Sequence, residues 1–163
     1  LTAPYFRGGQ KQVALEWTDK PTGIQCKGRI DLVSDHGPAI IDLKTARTVD
    51  AAAFGRAVHQ FKYHFQGAFY RMGWEAVSGE WLPFKLAAVE STGVHDVGLF
   101  GLEGEALGRG NELVRQALDT YARCRDTGKW PGRYQYEETI ELPAYAMDIT
   151  DGPDEVADGP ITY

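Results

Sequence analysis

An aspartate and a lysine stand two positions apart in an otherwise apolar segment, AIIDLKTA at residues 39–46. Alternate side chains of a β-strand share a face, so Asp42 and Lys44 point the same way if this segment is a strand. A turn with a two-residue loop at 36–37 would place Asp31 of the preceding strand directly opposite Asp42. Two carboxylates that close repel each other by about 1 kcal/mol or more unless a cation lies between them. The spacing therefore predicts a divalent metal site with oxygen ligands, which suit Mg²⁺ or Mn²⁺.

The position of Lys44 beside such a metal has two interpretations. The lysine would hold or activate an attacking water and stabilise negative charge developing at phosphorus. Alternatively, Asp42 and Lys44 form an exposed ion pair, which contributes about 0–1 kcal/mol to stability. A lone Asp-x-Lys triplet favours the ion pair, whereas Asp31 in the segment GRID, placed opposite, favours the metal site.

A second polar cluster follows on a segment with helical periodicity. Gln66 and Tyr70 lie four residues apart and so share a helix face. The same face carries three further polar side chains, His59, Lys62 and Tyr63. Such a face is often simply solvated, but after a metal-binding strand it is better interpreted as a wall of the site. Gln66 would then orient the attacking water or a phosphate.

Hydrophobic periodicity predicts the order βββ-α-ββ-α, an α+β domain with helices flanking a mixed β-sheet. The predicted strands are 12–17, 24–33, 38–44, 84–91 and 96–102, and the predicted helices are 51–77 and 103–128. The first three strands form an antiparallel meander. The first helix has an apolar stripe that should face the core, Phe54, Val58, Phe61, Phe65, Phe69 and Met72. The second has Leu107, Leu113, Leu118 and Tyr121 on its apolar side, with Gly128 as its C-cap.

The composition indicates one folded domain with an acidic extension. The 163 residues are 43% hydrophobic, which is ample for a core. We expect the domain to span 1–136, with its core at 12–134, and the acidic, Pro/Gly-containing segment 137–163 to form a C-terminal tail. The net charge of -6 is unevenly distributed, because residues 1–80 carry 10 basic and 8 acidic side chains and residues 81–163 carry 7 and 15. The first half is therefore the part that could meet an anionic partner.

Two cysteines without CxxC spacing argue against a zinc or iron–sulfur site built from this chain. No apolar run approaches the 18 residues of a membrane span and no signal peptide is recognisable, so we expect no membrane partner and a cytoplasmic location.

Three segments, KGRIDLV, AIIDLKTA and QGAFYRMGW, together resemble the P-D-(D/E)-x-K nuclease superfamily. The pattern G-R-x-D, D-x-K and Q-x-x-x-Y is similar to that of its RecE-like exodeoxyribonuclease (exonuclease VIII) and RecB-type branch. Each motif is weak alone, and the three in this order over residues 12–134 are fairly specific. The resemblance implies a restriction-endonuclease-like core of mixed sheet and flanking helices.

The resemblance also implies roles for particular residues. Asp31 and Asp42 would bind the metal with help from the Leu43 carbonyl, and Lys44 would be the catalytic lysine. Gln66 and Tyr70 would belong to the helix motif of the catalytic site. Glu16 on the preceding strand is interpreted either as an assisting acidic residue or as a surface carboxylate. The residues predicted to contact DNA are Lys62, Arg71, Arg29 and Arg47.

An N-terminal helical segment with a metal-binding histidine is usual in this branch. The chain begins at Leu1 without a methionine, so we expect a fragment from which that segment is absent. The four histidines, His36, His59, His64 and His95, do not fall where that residue would stand.

Three functions are compatible with these residues. The leading prediction is a Mg²⁺-dependent double-strand DNA exonuclease of phage or prophage recombination type. A DNA endonuclease of the same superfamily is the second, because the motifs do not encode dependence on DNA ends. The third is a non-catalytic module that binds DNA ends or proteins, against which the intact Asp31, Asp42 and Lys44 argue. The resemblance further implies a homo-oligomer and a single-strand annealing protein as partner.

Overall fold

The computed structural model describes residues 3–134 and 136–146. The chain divides into two compact units, Leu1–Gly128 and Lys129–Tyr163. The boundary between these units follows Gly128, whereas the sequence analysis placed a domain boundary after residue 136. Most of the predicted acidic tail, 147–163, lies outside the described residues. In the second unit the described regular structure is a short 3-10 helix, Ala144–Ala146.

The first unit contains the predicted order of strands and helices. Its elements are a 3-10 helix Ala3–Phe6, β1 Gln10–Asp19, β2 Ile24–Ser34, β3 Ala39–Ala46, α1 Ala51–Gln60, α2 Tyr63–Ser78, β4 Phe84–Glu90, β5 Val97–Leu102 and α3 Gly104–Thr127. The strands form one five-stranded sheet in the order β1-β2-β3-β4-β5. β3 and β4 are parallel and the other neighbours are antiparallel, so the predicted mixed sheet, opened by an antiparallel meander and flanked by helices, is confirmed. Among the described residues, no helix has the length and apolar character needed to cross a bilayer.

The hairpin between β2 and β3 has the predicted register. Leu32 pairs with Ile41 and Ser34 with Ala39, which is the alignment that brings Asp31 towards Asp42. The loop between the two strands has four residues instead of the predicted two. Gly37 in this loop has φ +73°, a conformation that favours glycine.

Buried apolar side chains lie on both faces of the central strands, as expected when a parallel pair is covered on both sides. The larger cluster packs against α2 and includes Ile30, Ile40, Phe84 and Leu86. The smaller cluster on the opposite face consists of Leu32, Ala39, Ile41 and Ala87, with Tyr5 and Phe6 packed against it.

The predicted single helix 51–77 is wrong, because the chain breaks at Lys62 into α1 and α2. Lys62 has φ +58°, in the left-handed region that a lysine seldom occupies. The break turns Phe61 outwards, so this residue of the predicted apolar stripe is 59% exposed instead of buried. Phe54 and Val58 are buried on α1 as predicted.

Small residues, not the phenylalanines, bring α2 onto the sheet. A Cβ atom at Gly67 would lie 2.7 Å from the Phe84 ring, and one at Gly73 would lie 2.6 Å from the Trp17 ring. The backbone of α2 therefore sits closer to the strands than a larger side chain would allow. The large members of the stripe on α2 are only half-buried, namely Phe65, Phe69 and Met72.

Helix α3 packs on α2 through a similar close approach. A Cβ atom at Gly110 would lie 2.2 Å from the His64 carbonyl oxygen. Gly128 is the C-cap with φ +67°, as predicted, whereas Tyr121 is 50% exposed and does not belong to the buried side. The buried residues of α3 are Leu107, Gly110, Val114, Leu118 and Cys124, and Leu113 is half-buried.

Candidate active site

Strand β3 directs Asp42 and Lys44 towards α2. Ile40, two residues before Asp42, is buried in the cluster beneath this helix, while Leu43 points to the other face and is 51% exposed. Asp42 is 2% exposed, so a charged carboxylate lies almost completely out of water. Burial of such a group requires compensation by hydrogen bonds or by a cation.

The compensation comes from two side chains that the sequence had assigned to the site, Lys44 and Gln66. Lys44 Nζ forms an ion pair with Asp42 and donates a hydrogen bond to Gln66 Oε1 at 2.9 Å. Gln66 Nε2 in turn donates to Asp42 Oδ1 at 3.0 Å and to the Tyr70 hydroxyl at 3.2 Å. The structure therefore brings the predicted Asp42, Lys44, Gln66 and Tyr70 into one network.

The glycine of the GRID segment makes room for this network. A Cβ atom at Gly28 would lie 3.2 Å from the Tyr70 ring, which is tighter than usual. Because Gly28 has no side chain, the Tyr70 ring can lie against β2. Tyr70 follows Gln66 by four residues on α2.

Asp31 reaches the site through a change in strand alternation. Ile30 faces the cluster beneath α2, but Leu32 faces the opposite cluster, although residues two apart normally share a face. Opposite Asp31 on β1, Gln12 has φ +54°, and its Nε2 donates to Asp31 Oδ1 at 3.2 Å. Asp31 Oδ2 accepts a hydrogen bond from the Leu43 backbone N–H at 2.9 Å, which anchors it beside Asp42.

The electrostatics of Asp42 are unfavourable in spite of these partners. Burial raises the pKa of its carboxyl group, and the nearby charge of Asp31 raises it further, against the lowering effect of Lys44. Its Oδ2 atom is buried and, apart from the contact with the Lys44 ammonium, has no hydrogen bond of regular geometry. An additional cation beside Asp42 and Asp31 would relieve the repulsion between the two carboxylates.

The donor set fits a hard divalent cation. Within the described residues no group of three or more His, Cys, Asp and Glu side chains is placed to hold a metal. Asp31, Asp42 and the Leu43 carbonyl would be the protein ligands, all of them oxygen. Mg²⁺ keeps several waters and binds through one or two carboxylates, so a small oxygen set of this kind suits it.

Tyr63 is a site residue that the sequence placed only on the polar helix face. Its ring centroid lies 4.5 Å from Lys44 Nζ, a cation–π contact that helps to fix the lysine. Gln12 was missed altogether, because an exposed glutamine near the start of a strand gives no signal of its own.

Two predicted residues, Glu16 and Arg29, lie on the face of the sheet that points away from α2. Glu16 stands between the buried Leu15 and Trp17, so it points away from α2, is exposed and pairs across the strands with Lys27. Arg29 is exposed on that same outer face. The surface-carboxylate interpretation of Glu16 is therefore the one that its position favours.

Within the described residues, the side chains of the other predicted DNA contacts, Arg71, Lys62 and Arg47, make no hydrogen bond or ion pair with the network. Arg71 donates from Nε to the Leu82 carbonyl at 3.0 Å and stacks on Trp81, with its guanidinium carbon 4.0 Å from the ring centroid. Lys62 is the exposed N-cap of α2 rather than a member of the Gln66 face. Arg47 is exposed just beyond the end of β3.

Comparison with known proteins places these observations in a family. The model of a PDDEXK-like domain of unknown function (DUF3799) matches residues 1–142. A search of curated proteins found no match. The match confirms the predicted superfamily, while the RecE/RecB branch stays a prediction.

One solved structure shows the same fold. A protein from Eubacterium rectale described as a "Putative exonuclease" is 24% identical, with a TM-score of 0.64 over 91% of this chain and 59% of that one. The structure of SSO0001 is 15% identical, with a TM-score of 0.44 over 77% of this chain and 53% of that one. The chain thus spans less than two thirds of the length of either structure.

Proposed function

The chain belongs to the PDDEXK-like domain family DUF3799, and from this premise we propose that it is a metal-dependent nuclease that hydrolyses phosphodiester bonds in DNA. The observation that supports the proposal most strongly is the network of Asp42, Lys44 and Gln66 beside Asp31. Two neighbouring carboxylates, one of them almost completely buried, are suited to hold a divalent metal ion, and the lysine beside them is suited to stabilise negative charge on a phosphate.

Each residue of the network has a distinct task in this proposal. Asp31, Asp42 and the Leu43 carbonyl would hold Mg²⁺, which when bound would supply Lewis acidity and a water of lowered pKa. Lys44 holds the attacking water and stabilises the negative charge that develops on the phosphate oxygens. Gln66 holds Lys44 and Asp42 in place by accepting a hydrogen bond from the Lys44 ammonium and donating one to the Asp42 carboxylate.

The specific activity that we propose is double-strand exonuclease, of the type used in phage or prophage recombination. The G-R-x-D, D-x-K and Q-x-x-x-Y resemblance supports it, and the description of the Eubacterium rectale neighbour points the same way. The homo-oligomer and the annealing-protein partner implied by that resemblance belong to the same proposal.

Digestion of linear and circular DNA separates the alternatives. With Mg²⁺, an exonuclease shortens linear duplex and leaves covalently closed circles intact. An endonuclease cuts both substrates, and a non-catalytic binding module cuts neither. Intact linear duplex in the presence of Mg²⁺ or Mn²⁺ would contradict the nuclease proposal itself.

The metal site is tested separately by calorimetric titration with Mn²⁺. We expect the wild-type protein to release or absorb heat on binding and the Asp42→Asn variant to lose that signal while keeping its fold. Asp19→Asn is the matched control, because Asp19 is equally buried but lies in an ion pair with Arg115. Equal Mn²⁺ binding by wild type and Asp42→Asn would remove Asp42 from the metal site.

A further inference from the structure

A cleft of about 640 Å³ opens at the end of β3, next to the proposed catalytic network. Its walls come from the end of β3, from α1 and from the break between α1 and α2, and they include Arg47, Arg56, Phe61 and Tyr63. Tyr63 is common to both sites, because its ring also contacts Lys44 Nζ at 4.5 Å. Tyr63 therefore connects the wall of the cleft with the lysine.

The break between the helices presents an aromatic ring to this cleft. Phe61 is 59% exposed, and its ring stacks on Tyr63 with centroids 5.7 Å apart and an angle of 25° between the planes. The neighbouring Lys62 adopts the left-handed conformation, which carries strain for a non-glycine residue. Strain of this kind is retained where the resulting geometry has a use, and here the result is an exposed ring in a cleft.

The charged side chains of the cleft favour an anion. Arg47 and Arg56 are exposed, and within the part of the chain that the structure describes neither guanidinium has an ion pair or hydrogen bond. The carboxylates nearby are already engaged by backbone N–H groups. Asp50 caps α1 by accepting from Ala53 N, and Glu90 accepts from Val49 N.

We propose that this cleft binds a single-stranded segment of the DNA substrate. A base stacks on Phe61, and Arg47 and Arg56 bind the adjacent phosphates, so that the strand continues past Tyr63 to Lys44. A base inside a duplex has both faces covered by its neighbours, so stacking on a protein ring requires an unpaired base. The inference rests on the proposed nuclease function. It adds that the DNA next to the reactive centre is single-stranded.

Binding of a fluorescent oligothymidine in EDTA tests the stacking contact without cleavage. We expect Phe61→Ala to weaken binding about tenfold, in line with the loss of one base–aromatic contact, and Phe61→Trp to restore it. Trp81→Ala is the matched control, because Trp81 is also an exposed aromatic residue, at 63%. It lies just before β4, next to the start of β3, whereas the cleft opens at the end of β3.

The affinity for an oligonucleotide with abasic sites distinguishes base stacking on Phe61 from a purely structural role of this residue. If Phe61 stacks on a base, the wild type loses about tenfold in affinity for the abasic strand, and Phe61→Ala loses much less. Equal losses in the two proteins would overturn the stacking contact, whatever the effect of Phe61→Ala alone.

The salt dependence of binding tests the arginines. Arg56→Ala should lower the slope of log affinity against log salt by about 0.7, the value for one phosphate on a single strand. Arg109→Ala serves as control, because Arg109 is exposed on α3 and pairs with Glu112. An unchanged slope for Arg56→Ala would remove this phosphate contact from the cleft.

Failure of this inference is distinguishable from failure of the proposed function. A wild type that digests DNA with Mg²⁺ but binds intact and abasic strands equally overturns the cleft assignment only. A wild type that discriminates between those strands through Phe61, but leaves every DNA intact with Mg²⁺, overturns the nuclease proposal and supports the cleft.

Discussion

Two aspartates of this domain are almost equally buried, yet the pKa values of their carboxyl groups are shifted in opposite directions. Asp19, at the end of β1, is 5% exposed, and Asp42, in β3, is 2% exposed. Both oxygens of Asp19 accept hydrogen bonds from the Arg115 guanidinium, at 3.0 and 2.7 Å, and Thr22 donates to it as well. These partners lower the pKa of Asp19, mainly through Arg115, whereas burial raises the pKa of Asp42.

The difference separates a structural ion pair from the proposed reactive site. Asp19 and Arg115 join the end of β1 to α3, and the bidentate geometry satisfies the carboxylate. Asp42 is left with a repulsive neighbour in Asp31 and an oxygen without a regular hydrogen bond. A fold tolerates such a deficit where a ligand supplies the missing interaction, so the comparison predicts opposite consequences for the same substitution at the two positions.

The largest effect is expected for catalysis at the β3 site. Asp42→Asn and Lys44→Met should each lower the rate of DNA cleavage by about 10³-fold, because each removes a charge that acts on the transition state. Asp19→Asn should leave the rate of the folded protein within about threefold. The measurement is single-turnover digestion of linear duplex with Mg²⁺. A Lys44→Met variant that keeps its activity would show that Lys44 is only the partner of Asp42 in an ion pair.

Stability should respond in the opposite sense. Asp19→Asn removes the bidentate partner of Arg115, which then keeps only its exposed ion pair with Asp119, and should lower the free energy of unfolding by about 2 kcal/mol. Asp42→Asn takes the counter-charge from Lys44, but it also removes a charge that burial disfavours and that Asp31 repels, so its loss should be smaller. Urea unfolding of the two variants and the wild type measures both. If Asp42→Asn unfolds more readily than Asp19→Asn, the roles of the two residues have been assigned the wrong way round.

The acid limb of the stability curve sharpens the assignment of Asp19. Since its pKa is lower in the folded protein than the ordinary 3.8, the unfolded chain binds more protons in acid. The stabilisation is fully present above that value and is lost as the pH falls from there through the folded pKa. The difference in unfolding free energy between wild type and Asp19→Asn should therefore be constant near neutral pH and shrink below about pH 4. If the difference in unfolding free energy stayed constant in acid, it would contradict a stabilising ion pair between Asp19 and Arg115.

The sequence predicted well those features that depend on local periodicity. Alternation along β3 correctly placed Asp42 and Lys44 on one face, and the spacing of Gln66 and Tyr70 correctly placed them on one side of a helix. The hairpin register also followed, because the turn glycine at position 37 restricts where the chain can reverse.

The sequence could not predict features that arise where a local rule is broken. Helical periodicity continues through Lys62, and nothing in the residues around it indicates a left-handed conformation. Phe61 was consequently predicted to be buried, and Lys62 to lie on the Gln66 face. The reversal of alternation at Asp31 is set jointly with Gln12 on another strand, so a single strand read alone does not reveal it.

Gln66 provides the smallest and most discriminating test, because it bridges both charged partners without carrying a charge itself. Its amide accepts from Lys44 and donates to Asp42, and it is half-buried. Gln66→Ala should lower the cleavage rate about tenfold, which corresponds to about 1.4 kcal/mol of lost transition-state stabilisation, because Lys44 and Asp42 are then held less precisely. The free energy of unfolding should change by no more than about 1 kcal/mol.

The control for that variant is Gln116→Ala, an exposed glutamine of α3, which should alter neither the rate nor the unfolding free energy measurably. Tyr70→Phe removes only the hydroxyl that accepts from Gln66 and should fall between the two variants in rate. This order follows from the chain of contacts, in which Gln66 touches Asp42 and Lys44 directly and Tyr70 acts through Gln66. If Tyr70→Phe were slower than Gln66→Ala, the hydroxyl would act on the substrate itself, and Gln66 would be the residue that positions it.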